Sequence, residues 1–277
     1  MDVDAMVLAA QRLAPVQCTS WGHPQTTGYP TVDFFLSSDL MEPSDADDHY
    51  SETLIRLPNL SYYYEPFDDT VPPLRREDIG LRPDAIVFWC GRSLYTYLPE
   101  FDQVFARIAK AVPNSQFAFI EYQKGTYVTG QFRERLDQAF TKLGLQYKEH
   151  CLFLRRLSQP EFSAAASLCD IVLDSIGWSG ANSTMESLPH SLPVVTMPAS
   201  MMRGRHAPAI LTMIGVTETI AATLDEYVHI AIRLALEQDW RMTICQKMRA
   251  NSHRAYRDRE CIVALEEFID RVARVAY

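Results

Sequence analysis

The chain has 277 residues, 47% hydrophobic and 22% charged, an ordinary balance for a globular protein with a substantial buried core. Its formal net charge of -9 excludes a general nucleic-acid-binding or anionic-membrane surface, because such partners favour a basic field. Six cysteines, at 18, 90, 151, 169, 245 and 261, stand apart in apolar segments without a CxxC pair or zinc spacing, so reduced thiols and no metal site are expected. The opening MDVDAM is acidic where a signal peptide is basic, and no apolar run reaches the roughly 18 residues of a membrane span. A soluble cytoplasmic protein is the expectation.

In chain order, TVDFFLSSD (31–39) and ETLIRLPN (52–59) each suggest a strand, followed by a linker rich in Tyr, Asp and Pro, YYYEPFDDTVPPLRRED (62–78). From Asp84 onward short apolar runs alternate with helical patterns, the signature of a parallel sheet with helices on both faces. AIVFWC (85–90) reads as a buried strand, and a helix is predicted from Pro99 to Ala111 with Phe101, Val104, Phe105, Ile108 and Ala109 on one face. SQFAFIE (115–121) is the next strand. Thr129 is the expected N-cap of a helix bearing Phe132, Leu136, Phe140 and Leu143, with Gly144 ending it. CLFLRR (151–156), CDIVLDS (169–175) and PVVTMP (193–198) supply further strands. Three helical segments are expected to close the chain, the last carrying Ile262, Leu265, Phe268, Ile269, Val272 and Val275 on one stripe. The division this implies is a partial N-terminal lobe and linker over 1–82 and a Rossmann-like C-terminal lobe over 83–277.

Between two of these strands lies DSIGWSGANSTMES (174–187). In open parallel sheets ligands bind beyond the carboxyl ends of strands, where loops meet helix N-termini. Gly177 and Gly180 permit close backbone approach, and Asn182, Ser183 and Thr184 resemble a first helical turn whose amides favour an anion such as a diphosphate. Glu186 suits a pair of ribose hydroxyls. An ordinary capped turn with nothing bound accounts for the same residue types equally well.

RLAPVQCTSWGHPQTTGYPTVDFFLSSD (12–39), YSETLIRLPN (50–59), DIVLDSIGWSGANSTMESL (170–188) and PVVTMPASMMRGR (193–205), taken together and in this order, resemble the catalytic region of the O-GlcNAc transferase and SPINDLY family. The resemblance implies an α/β fold of the GT-B glycosyltransferase type, two Rossmann-like lobes across a cleft. It also implies metal-independent inverting transfer of GlcNAc from UDP-GlcNAc to protein Ser or Thr hydroxyls, with no further cofactor. By this resemblance Gly180, Ala181, Asn182, Ser183 and Thr184 hold the UDP diphosphate on backbone amides, and Glu186 meets the ribose. Leu157 matches a position whose backbone reads the uracil, and Phe162 one where a ring, commonly histidine, lies against the base. The loop GHPQTTG (22–28), with Gly22, His23, Pro24, Thr26 and Thr27, matches the loop that approaches sugar and phosphate from the other lobe. His23 has the near-neutral pKa of a general base, although the family's proposed base lies upstream of this loop.

Two departures accompany the likeness. In WCGRSLYTYLPEFD (89–102) the family's usual lysine, which neutralises departing UDP, is replaced by Thr96, and its common glutamine falls near Ser93. Arg92, Arg203 and Arg205 are the candidate substitutes. The tetratricopeptide repeats and first part of the family's N-terminal lobe have no counterpart before Met1, so that lobe is expected to be incomplete and self-association to cover exposed apolar surface. A nucleotide-sugar-binding or protein-interaction module without turnover is the alternative, and a GT-B epimerase a further one.

Overall fold

The computed structural model describes residues 3–22, 24–66 and 74–276. Eight strands form two wholly parallel sheets. The first has the order β1 (Cys18–Ser20), β2 (Phe34–Ser38), β3 (Thr53–Leu57). The second is built from β4 (Ile86–Cys90), β5 (Ser115–Ile120), β6 (Cys151–Leu154), β7 (Ile171–Leu173) and β8 (Val194–Val195), in the order β6-β5-β4-β7-β8. The chain therefore runs outward from β4 through β5 and β6, then returns to the opposite side of β4 as β7. Between β4 and β7 the direction of winding reverses, and the loops leaving the two carboxyl ends diverge to open a crevice.

Ten helices are described: α1 (Val3–Ala9), α2 (Asp102–Ala111), α3 (Thr126–Thr141), α4 (Tyr147–His150), α5 (Gln159–Ser167), α6 (Asn182–Ser187), α7 (His206–Met213), α8 (Leu224–Leu236), α9 (Gln238–Asn251) and α10 (Glu260–Ala276). The strands of the second sheet are apolar without alternation because helices cover both faces; all of Ile171–Leu173 and Val194–Val195 are buried. The densest packing lies between β5, α2 and α3, where the Tyr97 ring meets those of Phe101, Phe105, Phe119 and Phe132 at centroid separations of 5.8, 5.7, 5.8 and 5.6 Å.

Three expectations change. Helix α3 begins at Thr126, not after Thr129; Gly125, at φ 155°, turns the chain into it. Thr129 sits in the helix with its hydroxyl accepting the Tyr122 N–H at 3.1 Å, so it ties the helix to the end of β5 rather than capping it. Gly144 does terminate the segment: at φ +73° its N–H reaches the Thr141 carbonyl while that of Leu145 reaches Phe140. Four α-helices, not three, follow β8, because the break after Leu236 separates α8 from α9. Helix α10 crosses back to the first sheet, although the division at 82/83 groups it with the second. Its Phe268 is buried edge-on against Phe34 at 5.2 Å, and Asn59 donates to Asp258 and Glu260. Three strands offer a narrow platform, so Ile269 of the predicted stripe stays 53% exposed. The Val275 side chain and linker residues 67–73 lie outside what is described.

The Tyr97 hydroxyl is buried without a partner. Tyr97→Phe removes an unsatisfied polar atom and keeps the ring, so urea unfolding is expected to show unchanged stability or a gain of about 1 kcal/mol, whereas Phe119→Ala is expected to cost about 3–5 kcal/mol.

Candidate functional site

The crevice between β4 and β7 is organised by one carboxylate. Asp174, immediately after β7, is 2% exposed and accepts from the Gly180 N–H at 2.8 Å, the Ser179 hydroxyl at 2.6 Å and the Thr196 hydroxyl at 2.8 Å. Its own carbonyl takes the buried Tyr227 hydroxyl at 2.8 Å. Burial holds the Asp174 carboxyl above its ordinary range, opposed by the nearby positive charge of Arg92 and by these donors. The loop 174–181 thus folds back on the residue that begins it. Ser179 extends the brace: its N–H donates to the Arg203 carbonyl and its hydroxyl accepts the Ala207 N–H at the start of α7, both at 2.8 Å.

This bracing sets the turn 180–184. The Gly180 and Thr184 N–H groups are occupied, the first by Asp174 and the second by the Ala181 carbonyl, so these two residues do not offer the amides expected of them. Among the described residues the N–H groups of Ala181, Asn182 and Ser183 donate to nothing. Gly180 serves by lacking a side chain, since a Cβ there would stand 2.5 Å from Ser183 Oγ.

From the other side of the crevice, Arg92 after β4 reaches over this turn. Its Nη1 donates to Ser183 Oγ at 3.2 Å, and its Nη2 to the carbonyls of Trp178 and Ser179 at 3.3 and 3.2 Å. Arg92 also bounds a cavity of about 430 Å³ beyond the carboxyl ends of β4, β5 and β6, shared with Ser93, Tyr95, Tyr122, Lys124 and Leu157. The structure therefore brings Arg92, Ser93 and Leu157 to one cavity and Arg92, Ser183 and Thr184 to one crevice. Phe162, half-buried, presents an edge-to-face contact to Trp89 at 5.1 Å behind that crevice. Glu186 is half-buried on α6, close enough to Tyr64 that burial first, and then its charge, push the Tyr64 hydroxyl up to about 12.

Other expected residues do structural work. Thr96 is 3% exposed, its hydroxyl donating to the Ser93 carbonyl at 2.7 Å and accepting from Ser175 at 3.3 Å, so it closes a tight turn with its hydroxyl turned inward. Arg205 donates to the Ala199 carbonyl at 3.1 Å and feels Glu42 and Asp45 of the first sheet's side. Arg203 stacks over Trp178 at 5.6 Å. A larger cleft of about 570 Å³ between α2 and α3 lies away from the strand ends, and its Arg135 is pinned to both oxygens of Asp102 at 2.8 and 2.7 Å.

The loop after β1 is held by a residue that no local pattern marks. Glu52 accepts from the Thr26 hydroxyl at 2.7 Å, the Thr27 N–H at 2.8 Å and the Thr27 hydroxyl, so both threonines expected at the sugar are engaged within their own lobe. Gly22 is exposed and Pro24 half-buried, while His23 lies outside the described residues. Trp21, at the head of this loop, packs on His206 at 5.4 Å, so the loop departs from beside the start of α7. Burial first, then the charge of Arg92, push the His206 imidazole down to about 4, leaving it neutral against Met41 Sδ. Asp174 had a signal in the sequence, an acid ending an apolar strand; Glu52 had none, since its partners lie 25 and 26 positions away.

Among the described residues no group of His, Cys, Asp and Glu could hold a metal ion, and no helix is long and apolar enough to cross a membrane. The family model for glycosyl transferase family 41 matches residues 65–258. SPINDLY of Arabidopsis thaliana, named a probable UDP-N-acetylglucosamine peptide N-acetylglucosaminyltransferase, is 34% identical over 226 residues, covering 82% of this chain and 24% of the relative. The chain thus spans about a quarter of the length of the curated relatives it matches. A mutant of the Thermobaculum terrenum O-GlcNAc transferase superposes with a TM-score of 0.79 at 25% identity, covering 96% of this chain and 49% of that one. HepE of Anabaena, crystallised with UDP and glucose, shares the fold at a TM-score of 0.53 and 15% identity, over 87% of this chain and 71% of its own.

Removing the carboxylate that organises the loop leaves buried donors unpaired, so Asp174→Ala is expected to lower unfolding free energy by on the order of 3 kcal/mol in urea titration. Glu52 tests the other lobe. Burial raises its pKa, but the donors from Thr27 and Thr26 outweigh that and hold it below the ordinary glutamate range. Its stabilisation is therefore present above the unfolded value of about 4.3 and lost as pH falls through the lower folded value. Thermal unfolding is expected to find Glu52→Gln less stable than wild type at neutral pH, the difference shrinking on acidification.

Proposed function

Because the chain belongs to glycosyl transferase family 41, we infer that its second sheet holds the UDP moiety of a nucleotide sugar and that the chain transfers GlcNAc from UDP-GlcNAc to protein Ser or Thr hydroxyls. The observation that carries this reading is the turn at the β4/β7 crevice. Three successive N–H groups, of Ala181, Asn182 and Ser183, donate to nothing among the described residues, and Arg92, which reaches over their turn, also lines a cavity of about 430 Å³ at the position where open parallel sheets receive ligands.

In this reading the diphosphate lies on those amides, Leu157 and Phe162 face the base, and Glu186 meets the ribose. The acceptor oxygen attacks the anomeric carbon from the side opposite the departing UDP, and the bond from that carbon to the β-phosphate oxygen breaks with its electron pair going to the phosphate. The acceptor proton passes to solvent, and configuration inverts. No metal is required if donors of the chain stabilise the charge developing on the diphosphate. The loop 22–28, fixed by Glu52 and set beside α7 through Trp21, approaches from the first sheet. Cytoplasmic residence follows as part of the same reading, since UDP-sugars and protein hydroxyls meet there. One observation favours a second reading, a nucleotide-sugar binder without turnover: Thr96 offers neither a cation nor an outward-facing hydroxyl.

Calorimetric titration with UDP is expected to show saturable binding, with Glu186→Ala raising Kd about tenfold, or about 1.4 kcal/mol. Absence of heat and of thermal stabilisation at millimolar UDP overturns the nucleotide assignment. Radiolabelled transfer from UDP-GlcNAc to a protein acceptor separates enzyme from binder.

A further inference from the structure

A diphosphate leaving group accumulates negative charge, and neutral amides offset only part of it. The basic side chains around the second sheet differ in where they lie and in what they are already paired with. Arg76 and Arg135 each have a carboxylate partner, at 2.9 and 2.7 Å. Arg203 lies over the Trp178 ring, and Arg205 is turned to the Ala199 carbonyl and to the acids of the first lobe. Lys124 and Arg156 rim the far side of the 430 Å³ cavity and make no hydrogen bond to the turn among the described residues.

Arg92 alone of these spans the crevice onto the turn itself. Its three acceptors, Ser183 Oγ and the carbonyls of Trp178 and Ser179, are all neutral, and at 3.2–3.3 Å they are longer than charge-assisted bonds. Its Nε is buried without a partner, and so is Nε1 of Trp89, 1% exposed in the wall of the same small crevice with Ser183 and Thr184. Two buried N–H donors without acceptors, beside a guanidinium held by neutral oxygens, describe a place that lacks an anion. The nearest acid, Asp174, does not fill it, since its oxygens are taken by Gly180, Ser179 and Thr196.

We propose that Arg92 is the cation of the donor site: on binding, its guanidinium exchanges the Trp178 and Ser179 carbonyls for diphosphate oxygens, and during transfer it neutralises the electron pair released onto the β-phosphate. This rests on the nucleotide-sugar reading above. The exchange trades long bonds to neutral acceptors for shorter bonds to charged ones, and Ser183, which already contacts Nη1, fixes where the guanidinium meets the ligand. The role passes to the strand end after β4, four positions ahead of the inward-turned Thr96.

The test is UDP titration of the full chain by calorimetry at low and high salt, comparing wild type with Arg92→Met and Arg92→Lys. Arg92→Met is expected to raise Kd about tenfold or more and to flatten its salt dependence, with Arg92→Lys intermediate in both. If Arg92→Met does not fold, Arg92→Gln, which keeps a donor for the two carbonyls without the charge, takes its place. Wild-type binding with the neutral variant within about twofold, or weakened with the salt dependence unchanged, overturns the role of Arg92 and leaves the nucleotide site standing. Absence of UDP binding to wild type overturns both.

Discussion

Everything at the crevice depends on one buried carboxylate held by the loop's own donors. Asp174 collects a backbone N–H and two hydroxyls from residues up to 22 positions away, and by doing so fixes the curvature of the loop after β7. A charge at 2% exposure is tolerated only because every donor is in place and Arg92 stands nearby. Asp174 uses up the Gly180 amide, and among the described residues the three that follow donate to nothing. The shape of this turn is thus a by-product of satisfying an internal charge.

The same network joins the two sheets. Ser179 binds the start of α7, where His206 packs on Trp21 and Met41 of the N-terminal part. The depressed pKa of His206 keeps a second positive charge away from Arg92 at neutral pH.

The second sheet was legible because its strands are continuous apolar runs and its helices carry clear stripes; Ile86–Cys90, Ser115–Ile120 and Asp102–Ala111 fall where periodicity puts them. Boundaries were harder. Thr129 looked like a cap because a threonine at a helix start and one bonded to a neighbouring strand end are the same residue type in sequence. Arg92, Arg203 and Arg205 were indistinguishable for a related reason, since their separation into crevice, ring stack and structural brace depends on strand ends brought together from far apart. Glu52 was invisible, because its bonds to Thr26 and Thr27 arise from parallel pairing across β2.

Helix α10 adds a constraint of another kind. Asn59 and Asp258, bonded at 3.0 Å, are separated by 199 positions, and Phe34 waits for Phe268. The first sheet cannot cover this face until that distant segment has been synthesised. Within the second sheet the widest strand pairing, β4 with β7, joins Phe88 to Ile171, a much shorter span. The N-terminal strands therefore depend for the cover of this face on residues that lie on the far side of the whole second sheet in sequence.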